Sequence, residues 1–213
     1  MDFDKFREYI PQILQETLPG EASHFKMAPP ERVAIMETVN VDALDLRKAA
    51  VMMLVYPKGG ESHLALIVRN SYKGVHSSQI AFPGGKVEVS DLSFEDTALR
   101  ETEEEIGVLR NTITVIRPFT RVYIPPSNFL VYPFLGYSQN ELTFIPSERE
   151  VAGIIELPLD HFLDDVNIVN RQMATSYSVS VEVPSLKIGD YYVWGATAMM
   201  LSELKDVLKK VFL

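Results

Sequence analysis

Residues 84–108 read GGKVEVSDLSFEDTALRETEEEIGV, and the spacing within them decides the local fold. Ser93 can cap a helix, with Asp96 three residues on as an acidic variant of the capping box. The helix predicted over 94–106 has Gly107 as its natural stop, because glycine takes the left-handed conformation that ends helices. At about 100° per residue, Phe94, Ala98, Leu99, Thr102 and Ile106 form one apolar stripe that should face a sheet. Glu101, Glu104 and Glu105 fall together on the adjoining face, and Glu103 points to solvent. Like charges at this spacing repel by about 0.2–0.5 kcal/mol per pair even when exposed. A chain selected for stability alone would carry Lys at one of these positions. The plain reading of such a run is a solvated acidic face, and three features argue against it here. The acids border the apolar stripe, Arg100 beside them can orient a carboxylate, and Gly84-Gly85 lets the backbone come close to a ligand. Oxygen-only donors of this kind suit hard cations such as Mg²⁺ or Mn²⁺.

Outward from this stretch, 49–57 (AAVMMLVYP) and 63–69 (HLALIVR) read as buried strands joined by a turn at Lys58-Gly59-Gly60-Glu61. Residues 79–82 (QIAF) are a short strand entering Pro83-Gly84-Gly85. Further strands are predicted at 112–117, 129–137 and 151–157, and a hairpin at 175–193 with its turn around Ser185. Residues 196–212 form a closing amphipathic helix. Phe3, Phe6, Ile10, Ile13 and Leu14 recur at helical spacing, so 3–18 read as a helix kinked or split at Pro11 and ended near Pro19-Gly20. Residues 19–47, with four prolines and glycines, read as an irregular covering arm. Strands interleaved with helices predict a mixed sheet covered by helices, of the α/β (α+β) class. The organisation expected is a helix and arm at 1–46 and one domain at 47–213.

The 213 residues suffice for one domain with a hydrophobic core. A net charge of −9 argues against a nucleic-acid surface, which needs Lys and Arg to neutralise phosphates. It leaves room for a small phosphorylated substrate, because a bound cation reverses the local field. With no cysteine, thiolate nucleophiles, disulfides and Cys-based zinc sites are excluded, and a reducing compartment is suited. No run of about 18 apolar residues predicts a membrane span. The beginning, MDFDKFREYI, lacks the basic start and apolar stretch of a signal peptide, so a cytoplasmic location is expected. A monomer and a homodimer are equally compatible with the sequence.

The 84–108 stretch resembles the Nudix box, whose pattern is Gly, five residues, Glu, seven residues, then Arg-Glu-apolar-x-Glu-Glu-x-Gly-apolar. Arg100, Glu101, Glu104, Glu105, Gly107 and Val108 match it, and Thr102 replaces an apolar residue. The front half departs from it: the sixth residue after Gly85 is Asp91, and the interval to Arg100 is one residue longer. That spacing resembles the coenzyme A diphosphatase branch of the family, as does an upstream signature carried here by Arg69, His76, Gln79, Ile80, Phe82, Pro83, Gly84 and Gly85. Glu150–Leu159 and Val193–Ala198 are also similar to that branch, whereas Asn70, Gly74 and Ser78 stand where it has Ser, Arg and Gly.

The resemblance implies a Nudix-type α/β/α sandwich with a mixed β-sheet and a catalytic loop-helix-loop. It implies a diphosphatase dependent on Mg²⁺ or Mn²⁺, with Glu101, Glu104, Glu105 and the Gly84 carbonyl as metal ligands and Arg100 holding the carboxylates in register. Glu101 or Glu150 would take the proton of the attacking water. Arg69, His76, Gln79, Phe82, Gly84 and Gly85 would meet a small-molecule diphosphate substrate, with coenzyme A or acyl-CoA as the first expectation. His76 can equally be a structural hydrogen-bonder and Glu150 a solvent-facing strand end. Trp194 is expected to pack under the last helix, and Tyr123, Pro125, Pro126 and Phe129 can line a substrate mouth or form a plain loop. Two other readings stay open: a Nudix pyrophosphohydrolase of an ADP-sugar, dinucleotide or nucleoside triphosphate, and a non-catalytic ligand-binding module. Degenerate modules lose box carboxylates, which this chain keeps.

Overall fold

A computed structural model describes residues 1–70, 79–173 and 180–212. In chain order the elements are α1 (Phe3–Glu8), α2 (Ile10–Gln15), α3 (Glu21–Phe25), α4 (Pro30–Thr38), β1 (Arg47–Lys58), β2 (Glu61–Arg69), β3 (Ile80–Ala81), β4 (Gly84–Lys86) and α5 (Phe94–Ile106). Then follow β5 (Ile113–Pro118), β6 (Val122–Ile124), β7 (Phe129–Ser138), β8 (Val151–Pro158), α6 (Leu159–Leu163), β9 (Ile168–Met173), β10 (Val181–Ile188), β11 (Tyr191–Val193) and α7 (Gly195–Phe212).

The long strand β1 organises the fold. Its odd residues Ala49, Val51, Met53 and Val55 enter one core with α1, α4 and α7, while Ala50, Met52, Leu54 and Tyr56 enter a second core with α5. A strand alternates its side chains between two faces, so an unbroken apolar run marks a sheet covered on both sides. This is the layered α+β arrangement expected. β1 runs parallel to β7 from Arg47↔Phe129 to Val55↔Tyr137.

On its other edge β1 pairs antiparallel with β2 only near their hairpin, from Val55↔Leu64 to Lys58↔Glu61. Both turn glycines have positive φ, 57° and 79°, as a tight two-residue hairpin of this hand requires. Beyond Val55 and Leu64 the strands part and residues 80–86 enter between them. β3 pairs with β2, β4 pairs with β1, and the Met52 amide donates to the Pro83 carbonyl at 2.9 Å. The far side of β2 pairs with β8. This split brings the Gly84-Gly85 turn against the middle of β1.

Three expectations need correction. The helix over 3–18 is split as expected, but at Tyr9 rather than at Pro11, and it ends at Gln15; Pro11 falls in the first turn of α2, where its missing N–H costs nothing. Residues 19–47 are largely helical rather than irregular: Pro30 opens α4 at its first position, a start signal and not a breaker. The hairpin turn lies at Gly189-Asp190, between the paired Ile188 and Tyr191, and Ser185 is buried in mid-strand. Gly189 supplies the positive φ of 56° that such a turn needs, and Pro184 cannot. Residues 174–179 of that predicted hairpin lie outside the described residues.

The arm is bound into the body. Phe3, Phe6, Ile13, Met27 and Met36 belong to the main core, and Tyr9 packs its ring against Phe212 with centroids 5.0 Å apart. Glu203, in the middle of α7 and fully buried, accepts from the Gly20 amide at 3.0 Å, the Thr120 amide at 3.1 Å and the Thr120 hydroxyl at 2.5 Å. His24 Nε2 lies 3.3 Å from the same carboxylate. Burial pushes the Glu203 carboxyl up, but the hydrogen bonds from His24 and Thr120 outweigh it and hold the group below its ordinary value.

Candidate active site

The helix α5 spans the residues expected of it. The Ser93 hydroxyl accepts from the Asp96 amide at 3.1 Å, and Gly107 closes the helix with φ 72°. Ala98 and Ile106 lie in the second core, with Phe94 and Leu99 packed against it. Thr102 occupies its apolar position by turning its hydroxyl back to the Ala98 carbonyl at 2.6 Å, which hides the polar atom. Glu103 lies away from the other acids, one-third exposed, and is bound by Arg110 at 2.8 Å rather than left in solvent.

Arg100 is the hub of the acidic face. Its Nε and Nη2 grip both oxygens of Asp91 at 2.7 and 3.0 Å, and Nη2 also donates to the Lys86 carbonyl at 3.1 Å. Nη1 donates to Glu101 and Glu104, each at 3.0 Å. A two-pronged guanidinium–carboxylate pair fixes orientation as well as charge. Asp91 also accepts from the Glu88 amide and the Thr97 hydroxyl, both at 2.8 Å, and with the Arg100 contact these hold its carboxyl well below the usual range. The sequence marked Asp91 only as a departure from a pattern. An acid in the loop nine positions before a buried arginine was the signal that the two would pair.

Glu105 is set deepest, at 1% exposure. Its Oε2 accepts from the Gly84 amide at 2.8 Å, and its Oε1 lies 3.4 Å from Arg69 Nη1. The same Nη1 lies 3.5 Å from the Gly84 carbonyl. Burial pushes the Glu105 carboxyl up to about 7. Arg69 and the Gly84 N–H counter this, and Glu101 and Glu150 reinforce it. Burial raises Glu101 too, against the pull of Arg100 and with the repulsion of Glu104 and Glu150. Glu150, exposed just before β8, therefore shares the electrostatic environment of the α5 acids. Gly85 packs so tightly on Glu101 that a Cβ there would stand 2.5 Å from the carboxylate.

Of the other residues read from the sequence, Gln79 passes its carbonyl to the Arg69 amide at 3.0 Å beside the site. Phe82 is 1% exposed in the main core, immediately before the Pro83-Gly84-Gly85 turn. His76 lies outside the described residues. Trp194 is half-buried immediately before α7. Tyr123 and Phe129 flank the β6–β7 turn; the Tyr123 carbonyl accepts from Arg32 at 2.8 Å and Phe129 carries the Arg47 guanidinium 4.0 Å from its ring.

Among the described residues, no three His, Cys, Asp or Glu side chains converge into a closed metal cage. The donor set nevertheless fits a hard cation. Its donors are carboxylate and carbonyl oxygens, burial and mutual repulsion leave the acids short of positive charge, and a guanidinium already bridges Glu105 and the Gly84 carbonyl.

Residues 46–177 match the family model described as the NUDIX domain. A relative from Citrobacter koseri, called an uncharacterized Nudix hydrolase NudL, is 32% identical over 197 residues, covering 88% of this chain and 93% of the relative. Nudix hydrolase 15, mitochondrial, from Arabidopsis thaliana is 31% identical over 175 residues, 78% of this chain and 60% of its own length. In fold, the chain is similar to a Nudix hydrolase from M. smegmatis, RenU, with a TM-score of 0.54 at 18% identity, covering 78% of this chain and 88% of that one. It is also similar to a C. elegans Ap4A hydrolase, with a TM-score of 0.52 at 17% identity, covering 78% and 99%.

Proposed function

We infer the substrate from one premise: the chain belongs to the Nudix hydrolase family and is a diphosphatase acting on nucleoside-diphosphate derivatives. The reading is that it cleaves coenzyme A or an acyl-CoA at the diphosphate, giving 3′,5′-ADP and (acyl-)4′-phosphopantetheine. The observation that carries it is the position of Arg69. This residue opens the upstream signature around 69–85, and its guanidinium lies on Glu105 and Gly84, within reach of a phosphate bound at the acidic face.

Nudix hydrolases are generally dependent on divalent metal, and Mg²⁺ or Mn²⁺ at this site would neutralise the diphosphate and make water a better nucleophile. Glu101, Glu104, Glu105 and the Gly84 carbonyl would hold the ion, Glu104 from the exposed rim. Arg100, anchored by Asp91, keeps Glu101 and Glu104 aligned. Glu150 is exposed while Glu101 is tied to Arg100, which favours Glu150 as the group that takes the proton from the attacking water. Oxygen from that water joins one phosphorus, and the bridging P–O bond breaks to leave the second phosphate with its electron pair. On this reading a basic side chain would contact the 3′-phosphate. Among the described residues no helix is long and apolar enough to cross a membrane.

Three results are expected. Coenzyme A should give a higher kcat/KM than ADP-ribose, NADH or a nucleoside triphosphate under identical Mg²⁺. Removing its 3′-phosphate should lower that value by roughly tenfold or more, the equivalent of a charge-assisted hydrogen bond of about 1.5–3 kcal/mol. A tenfold preference for any of the other three would sink the coenzyme A reading and leave the diphosphatase. Mg²⁺ or Mn²⁺ alone should raise the melting temperature, with a stabilisation of about 2.7 kcal/mol at about 100 times its Kd. A melting curve unmoved by millimolar metal would count against Glu101 and Glu105 as ligands.

A further inference from the structure

We propose that Arg69 occupies the cation seat of the metal-free enzyme, and that the arriving metal ion drives its guanidinium off Glu105 and onto the substrate phosphates. This rests on the metal-binding reading given above. The geometry points to one seat with two claimants. Arg69 Nη1 lies 3.4 Å from Glu105 Oε1 and 3.5 Å from the Gly84 carbonyl, which are the oxygens assigned to the ion.

A hard cation takes such oxygens at about 2.0–2.6 Å. It would therefore stand between them, well inside contact distance of a positive group that also bridges them, and at that range like charges repel strongly. The two cannot share the seat. Arg69 is built to leave it. It ends β2 at a register shift between Val68 and Arg69, and its side chain is 26% exposed, whereas Arg100 is clamped by Asp91 at 9% exposure. The contacts differ in the same sense: Arg100 makes several bonds of 2.7–3.1 Å, and Arg69 makes two of 3.4 Å or more.

The exchange has a functional sign. Without metal, the guanidinium offsets the charge of the buried Glu105 and is withheld from phosphate. With metal bound, Glu105 is satisfied by the ion and a released positive charge faces outward. Metal and diphosphate should then assist one another's binding, and the coupling is reciprocal.

The test is Mn²⁺ binding without substrate, read as loss of the free-ion electron paramagnetic resonance signal, in wild type, Arg69→Gln and Arg69→Lys. Removing the competitor should tighten Mn²⁺ binding about tenfold in Arg69→Gln, within the range of ordinary site coupling, while weakening the mutual assistance between Mg²⁺ and a non-hydrolysable diphosphate. In wild type, the Arg69 Nε–H NMR resonance, assigned by its absence from Arg69→Gln, should shift on addition of Mg²⁺ alone. Arg69→Lys, which keeps the charge and gives up the planar fork, covers the case of a misfolded glutamine variant and should also bind Mn²⁺ more tightly than wild type. Unchanged or weaker binding in the variants, or a resonance that ignores Mg²⁺, would overturn the exchange and leave the metal site standing. A wild-type protein that binds no Mn²⁺ at all would remove the metal reading and the exchange together.

Discussion

Glu105→Gln is expected to lower kcat by about 100-fold or more while the chain still folds. Changes to residues that merely support metal ligands cost roughly 10–100-fold, and Glu105 is placed to be a ligand itself. Its neutral replacement keeps the size of the side chain and can still accept the Gly84 N–H. Near-wild-type turnover at saturating Mg²⁺ would remove Glu105 from the site. The same substitution should alter stability in a pH-dependent way. The folded carboxyl titrates near 7 because burial disfavours its charge, whereas in an unfolded chain it ionises around 4.3. Between those values the folded state holds the proton that the unfolded state has lost, so metal-free stability falls as pH rises through this window. At about 1.4 kcal/mol per pH unit the loss approaches about 4 kcal/mol above neutrality. Glu105→Gln should therefore melt higher than wild type at pH 8 in chelator, and the two should converge near pH 4.5. Parallel melting curves across that range would contradict the burial argument.

Gly84→Ala should be the most damaging single-methyl change at the site. Gly84 has φ +154°, and a Cβ there would fall 2.4 Å from the Ala50 carbonyl oxygen and 2.6 Å from Val51 Cα. Both are backbone atoms of β1, which is paired on both edges at this point, so neither can withdraw without breaking the sheet. Strain and overpacking each cost about 1–3 kcal/mol, and together they predict a loss of about 2–6 kcal/mol. Gly59→Ala is the control, with a positive φ of 57° but open space around it, and should cost only about 1–2 kcal/mol. Equal melting temperatures for the two variants would refute a steric role for Gly84.

The parts legible in the sequence are those that depend on neighbours a few residues away. The helix α5 was readable from end to end because Ser93, the apolar stripe and Gly107 are local signals, and the β1–β2 turn because Gly59-Gly60 demands it. The alignment of Glu101, Glu104 and Glu105 follows from helical pitch alone. The seat of Arg69 does not, because it depends on β1 and β2 parting after Val55 and Leu64 and on residues 80–86 entering the gap. The burial of Phe82 depends on the same entry of residues 80–86 between β1 and β2 and could not be read from its neighbours in sequence. The helices of 21–38 were missed because prolines were read as breakers, and Pro30 instead begins one. The turn expected around Ser185 lies instead at Gly189-Asp190, which carries the better turn chemistry.

The buried Glu203 ties the two ends of the chain together across 183 residues of sequence, from the Gly20 amide to the middle of the last helix. A ribosome has made residues 1–86, including the glycine turn of the site, long before α7 emerges. Until then Gly20, Thr120 and His24 lack their shared acceptor, and Phe6 and Ile13 lack part of their cover. The nascent chain can form hairpins and the short helices early, but the arm cannot settle until α7 has been made. Contacts of such long sequence separation slow folding, and an incomplete product that stops before residue 195 would expose an apolar face to chaperones and proteases.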